Sequence, residues 1–346
     1  MNSINPPRLL GQSLGTARFK SLLEDFQVEE ILGFEPTGEG EHCLAWVEKT
    51  DRNSNDVATE LAKKLGIRKR LVNHCGLKDR NAVTRQWFSL HLPGRESPAA
   101  EELSGDGVRV LNMTRNLRKL RRGCHQGNRF VIRLRDCTFT KEASAERWQA
   151  IIDRGVPNYF GPQRFGRDGG NIEHAIRFMS GEIEVRDRAL RGILISAARS
   201  FIFNDCVAKR IENGTWDEPL DGEVFGFPDN RSLVIPDNRR GDEFDRVRNG
   251  TLELTAPLWG AGDLLSQAQV KAFEEQVAAS SPEITEGLAQ FNLKQERRVM
   301  RLRPQFSELT WETDTTLVLR FELPTGTYAT TLLRELADLD GRLIQD

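Results

Sequence analysis

The sequence has no run of about 18 apolar residues, so no membrane-spanning helix is expected. Its opening stretch, MNSINPPRLLGQSLGTARFKS, lacks the apolar segment of a secretory signal, which points to the cytoplasm. Cysteine is scarce. The five residues Cys43, Cys75, Cys124, Cys137 and Cys206 are odd in number and scattered, which suits reduced thiols rather than a disulfide framework. Three of them adjoin a histidine: His42-Cys43, His74-Cys75 and Cys124-His125. No CxxC or HxxxH spacing accompanies them, and adjacent residues on a strand face opposite ways and do not easily share one metal. No metal site is expected, and these positions read as packing or loop residues. The clustered carboxylates of a metal-dependent nuclease are missing too. There is no internal repeat and no low-complexity tract.

What is present is length enough for two domains, 346 residues with 38% apolar and 29% charged side chains. The net charge of −2 hides an asymmetry. Between Leu61 and Arg135 there are 18 basic residues against 5 acidic ones, a surplus of 13, so the remainder carries 31 against 46. Within RNLRKLRRGCHQGNRFVIRLR, residues 115–135, eight lysines and arginines occur and no acid. Leu117, Leu120, Phe130, Ile132 and Leu134 interleave with them, so the segment reads as folded. A folded surface of one sign suggests a polyanion footprint, most simply nucleic acid. Arg115, Arg118, Lys119, Arg121 and Arg122 are its candidate contacts.

Strands are expected at FQVEEIL, HCLAWVEK, RLVNHC, RQWFSLHL, VRVLNMTR, NRFVIRLRD and TTLVLRFEL, from their partial two-residue alternation. Helices are expected at NSNDVATELAKKLGI, where Val57, Leu61 and Leu65 recur every four residues and Gly66 follows, and at KEASAERWQAIIDRG. The middle, from about 155 to 303, changes character, with helical patterns (SAARSFIFNDCVAKRI, LLSQAQVKAFEEQVAAS) and Gly/Pro/Asp-rich loops. The last strand and helix are too short to fold alone. They are expected to complete the sheet begun at the N-terminus, making the middle an insertion.

In GLKDRNAVTRQW one acid, Asp79, lies between Lys78 and Arg80, where neighbouring cations favour its ionised form. Together with DFQVEEILGFEPTGEGEH, GNRF, GVPNYFGPQRFG and FELPTGTYAT, this segment resembles the TruD family of tRNA pseudouridine synthases, in order and spacing from about Lys20 to Leu336. The resemblance implies an α/β (α+β) fold. A pseudouridine synthase catalytic domain with a mixed, mostly antiparallel sheet would span 1–154 and 304–346, and an α+β TRUD domain 155–303. It also implies isomerisation of uridine to pseudouridine at tRNA position 13.

That reaction breaks the N1–C1′ bond, turns the uracil and joins its C5 to the same sugar. No group enters or leaves and no electrons are exchanged, so no metal or cofactor is expected. By resemblance Asp79 is the catalytic carboxylate, either attacking C1′ or acting as a base on the ribose by way of a glycal, and Lys20 is its ammonium partner. Extruding the base costs a few kcal/mol, which stacking at roughly 1–3 kcal/mol per base can offset. The resemblance assigns Phe130 to the target uracil and Phe26 and Tyr328 to further substrate contact; the family more often has Phe at the last position. Asn128, two residues before Phe130 on one strand, shares its face and offers an amide for a uracil edge. Arg164, in GVPNYFGPQRFG, is within the chemistry of phosphate binding, although that glycine- and proline-rich segment reads first as a structural hinge. Expected partners are tRNA, with no membrane and no protein partner required. A catalytically silent RNA-binding or RNA-folding protein on the same scaffold is the competing reading. Asp79 argues against it, because a pure binder has no use for an anion among phosphate-binding cations.

Overall fold

The structure is a computed structural model that describes residues 5–340 except 231, 237–240 and 292. Part of the expected Gly/Pro/Asp-rich loop, at 231 and 237–240, therefore lies outside the described residues. The chain forms two compact units. One comprises Ser13–Ile152, Pro304–Gly326 and the chain from Leu336; the other comprises Asp153–Arg303 with the residues up to Gln12 and Thr327–Glu335. The middle unit thus also takes in the start of the chain and Thr327–Glu335, which the sequence reading grouped with the sheet. Among the described residues no helix is long and apolar enough to cross a membrane.

The first unit is built on a ten-stranded sheet. Its early strands are β1 (Thr16–Phe19), β2 (Phe26–Ile31), β3 (His42–Thr50), β4 (Val72–His74), β5 (Val83–His91), β6 (Val108–Asn116) and β7 (Gly127–Arg135). The order is Gln305–Trp311, Leu317–Pro324, β7, β2, β5, β3, β6, with β4 beside β5 and β1 between β7 and Asp338–Asp340. Only the β2–β5 and β1–(Asp338–Asp340) pairings are parallel, so the sheet is mixed and largely antiparallel, as expected.

Alternation decides which side chains go under. Phe26, Val28 and Glu30 of β2 turn to one face with Asn128, Phe130 and Ile132 of β7 opposite them. On β3 the same face takes Cys43, Ala45, Val47 and Lys49, all fully buried. The helix Ser54–Lys64 covers part of this face, with Val57, Leu61 and Leu65 packed on Val47, Phe88 and Leu90. Asn53 precedes it in extended conformation, but its side chain bonds Asp56 rather than the helix backbone. Gly66, at φ +62°, ends it in the left-handed region.

The middle unit centres on the long helix Arg188–Glu212, whose Asp187 cap accepts from the amides of Ala189 and Leu190 at 2.7 and 3.4 Å. The helices Gly170–Met179 and Pro282–Gln290 and the strand Glu253–Leu258 bury their apolar faces around it. GVPNYFGPQRFG is part of this core. Val156–Pro157 pairs with Arg301–Leu302, Asn158 donates to the Val299 carbonyl at 3.0 Å, and Tyr159, Phe160 and Phe165 are buried.

Candidate active site

Asp79 sits in the loop between β4 and β5, and that loop is pinned from several sides. The Gly76 carbonyl accepts from Gln86 Nε2 at 3.0 Å and meets His74 Nδ1 at 2.8 Å. The Lys78 amide donates to Ser54 Oγ at 3.0 Å, and that hydroxyl donates in turn to Gln86 Oε1 at 2.6 Å. These groups lie on the buried face of the sheet, so the loop has little freedom and its acid is held in place.

The carboxylate of Asp79 meets Lys20, whose Nζ donates to Oδ2 at 2.5 Å. Lys20 stands just after β1 at φ +57°, a conformation that is uncommon for any residue but glycine. Its ammonium lies 4.2 Å from the centre of the Phe26 ring and 5.5 Å from that of Phe19. The Lys20 side chain is only 10% exposed, whereas that of Asp79 is 40% exposed. The acid is therefore open to a ligand while its cation is sheltered behind it.

The two cations that flank Asp79 in the sequence have partners of their own. Lys78 donates to Asn128 Oδ1 at 2.7 Å and to Glu30 Oε2 at 3.3 Å. Arg80 pairs with Asp51 at 3.0 Å. A third lysine, missed in the sequence, takes part instead. Lys49 is fully buried and its Nζ donates to the Asp79 backbone carbonyl at 2.6 Å. Glu30 was missed as well. It is 3% exposed, its Oε1 accepts from the Trp87 amide at 3.1 Å, and burial pushes its carboxyl up from the ordinary range against the opposing pull of Lys78. A signal existed for both: each occupies an inward position of an alternating strand, where a charged residue needs a partner.

Phe130 and Phe26 lie in one aromatic row on this face. Their centroids are 6.2 Å apart, and Phe130 stacks on Phe321 at 5.4 Å. Both are 6% exposed. Asn128, half-buried, is oriented by the Lys78 ammonium. Tyr328 and Arg164 belong to the middle unit, where Arg164 donates to the Tyr328 hydroxyl and to Ser196 Oγ, each at 2.9 Å. Beside them Arg298 packs on the Phe160 ring, and burial lowers its guanidinium to about 10.

The basic run divides in two. Arg129 pairs with Glu29 and Glu322, Arg133 with Glu312, and Arg135 with Asp25. Arg115 is half-buried and bonds Ser97 Oγ and the Arg95 carbonyl. Arg118, Lys119, Arg121 and Arg122, between β6 and β7, are exposed. The free positive surface is thus narrower than the sequence count suggests.

The sequence model of the TruD family, tRNA pseudouridine synthase D, matches residues 11–177 and 171–336. A tRNA pseudouridine synthase D from Pseudomonas fluorescens is 41% identical over 336 residues, covering 96% of this chain and 94% of its own length. One from Xanthomonas campestris is 43% identical over 348 residues, with 96% and 94% covered. A crystal structure from Methanosarcina mazei assigned to TruD superimposes with a TM-score of 0.69 at 20% identity, covering 97% of this chain and 95% of that one, which shows the shared fold. The family match spans nearly the whole described chain and includes every segment of the site: the chain belongs to the TruD family of tRNA pseudouridine synthases, which are isomerases.

Proposed function

We propose that this chain converts uridine to pseudouridine in tRNA, at position 13, with Asp79 as the catalytic carboxylate and Lys20 as its partner. The observation that carries the reading is the Lys20–Asp79 contact, a half-exposed acid backed by a sheltered ammonium on a rigid loop. An acid held this way is suited to act on an anomeric carbon or a ribose proton. The Phe26–Phe130 row lies on the same sheet face and supplies an apolar wall for an everted base, with the Asn128 amide beside it. The exposed cations Arg118, Lys119, Arg121 and Arg122 serve the phosphate backbone. In this reading the sheet unit is the pseudouridine synthase domain and the middle unit the TRUD domain.

The test is incubation of purified protein with unmodified tRNA, followed by mapping of carbodiimide-resistant adducts. Pseudouridine at position 13 is expected from the wild type and none from Asp79→Asn, which should still bind tRNA. Absence of pseudouridine with any tRNA would sink the assignment, and turnover by Asp79→Asn would remove the acid from the mechanism. A silent RNA-binding protein would bind tRNA equally well with Asn or Asp at this position and modify nothing.

A further inference from the structure

Two thiols meet between the loop that carries Asp79 and the loop that carries the exposed cations. Cys75 Sγ and Cys124 Sγ are 3.0 Å apart, although 49 residues separate them. Each belongs to a different His-Cys neighbour pair, and nothing in the sequence joins them. Cys75 is 1% exposed and packs with Leu32, Leu44 and Leu120. Cys124 is exposed. The backbone holds the two loops together at the same place, with the Gly123 amide donating to the Cys75 carbonyl at 2.7 Å. The Arg121 amide points at Cys124 Sγ from 3.4 Å.

Glu30 and His125 complete the neighbourhood, and donor atoms of Glu30, Cys75 and His125 lie within 4.8 Å of one another. That set invites a divalent metal, but the geometry favours sulfur chemistry. Tetrahedral zinc, with Zn–S near 2.3 Å, keeps two thiolates about 3.8 Å apart, and these thiols are closer. Glu30 is already engaged by the Trp87 amide and the Lys78 ammonium. That ammonium would also face any cation placed in the cluster.

We propose that Cys75 and Cys124 form an oxidisable dithiol, a modification site whose disulfide staples the Asp79 loop to the basic loop before β7. The oxidant is a hydroperoxide. The Cys124 thiolate, reachable from solvent, attacks a peroxide oxygen, the O–O bond breaks, and Cys124 becomes a sulfenic acid as hydroxide leaves. Cys75 sulfur then displaces the sulfenic hydroxyl, forming the S–S bond. Its proton passes by way of the adjacent Glu30 carboxylate to the departing hydroxyl, which leaves as water, while the hydroxide of the first step takes up the proton that Cys124 lost on ionising. Two thiols are oxidised and one hydrogen peroxide is reduced to two waters. The order of the two steps follows from access, since solvent reaches Cys124 and not Cys75, whose thiol burial also pushes up.

Tryptic mapping after hydrogen peroxide treatment and alkylation tests the proposal without reference to activity. Trypsin releases Cys75 in residues 71–78 and Cys124 in residues 123–129. The expected product is those two peptides joined, separating on reduction, with Cys43, Cys137 and Cys206 still alkylatable after denaturation. Cys124→Ser should give no joined peptide and leave Cys75 alkylatable. Oxidation of Cys124 with Cys75 left free, or joined to any other cysteine, would overturn the proposal. So would one tightly held zinc per chain that is lost in Cys75→Ala and blocks oxidation in the wild type.

Discussion

Lys49 and Asp79 meet at the backbone: the ammonium of the first donates to the carbonyl of the second at 2.6 Å. A fully buried lysine is costly to desolvate, so its place here needs a return. The return is position. Lys49 sets where the Asp79 loop runs, while Lys20 addresses the acid itself.

Lys49→Met should therefore act on turnover more than on binding. A displacement of the order of 1 Å at a reacting group costs about 100-fold. A drop of about that size in kcat, with KM nearly unchanged and the circular dichroism of the wild type, is the expected result. Single-turnover assays on tRNA measure it, and an unchanged kcat would show that the loop holds itself.

The aromatic row makes a second prediction. Phe130 is packed on Phe26 and Phe321 and is 6% exposed, so its ring supports the fold whatever it does for the proposed base contact. Phe130→Ala should lower stability by about 3–5 kcal/mol, the range for buried phenylalanine truncation, visible in urea melts. Phe130→Leu keeps most of the volume. It should remain folded and lose activity, which separates stacking on a base from packing in the core.

The division of the basic run is testable by salt. Neutralising Lys119 or Arg122 should weaken tRNA affinity and lower the slope of log K against log salt by about 0.7–0.9 for each phosphate no longer neutralised. Arg133→Gln should leave that slope alone, because its guanidinium is already committed to Glu312. Equal slope changes from both would mean that the acidic partners give way to RNA.

His125 supplies a pH dependence. Burial, and secondly the Lys78 ammonium, push its imidazole from 6.5 down to about 4. Between those values the unfolded chain takes up a proton that the folded chain does not. The stability His125 contributes is therefore full above about pH 6.5 and is lost as pH falls toward 4. Urea melts should show about 2 kcal/mol more loss between pH 7 and pH 5 in the wild type than in His125→Leu.

Much of the sheet was legible because its long strands alternate cleanly. The expected HCLAWVEK, RQWFSLHL, VRVLNMTR and NRFVIRLRD correspond to β3, β5, β6 and β7 within a residue or two. Two of the strands that escaped have local reasons. Thr16–Phe19 is four residues long and finds its partner at Asp338–Asp340, and Glu253–Leu258 contains Pro257, which speaks against a strand. In the site, proximity along the chain misled. Lys78 and Arg80 adjoin Asp79 and serve Asn128 and Asp51, while Lys20, 59 residues away, touches it. No periodicity could join those two positions; only the family resemblance did. Lys49 and Glu30 stand out in the sequence only as charges at inward strand positions; their partners, like the Cys75–Cys124 contact, needed coordinates, because each depends on which segments lie side by side.

One consequence follows from the pairing of β7 with Leu317–Pro324, where Phe130 faces Phe321. During synthesis β7 emerges from the ribosome nearly 190 residues before the strand that closes its flank. For most of translation a hydrophobic strand edge is bare, the kind of surface that recruits other chains. Prematurely terminated products that stop short of residue 317 should therefore aggregate, and full-length yield should depend on chaperones that shield nascent edges.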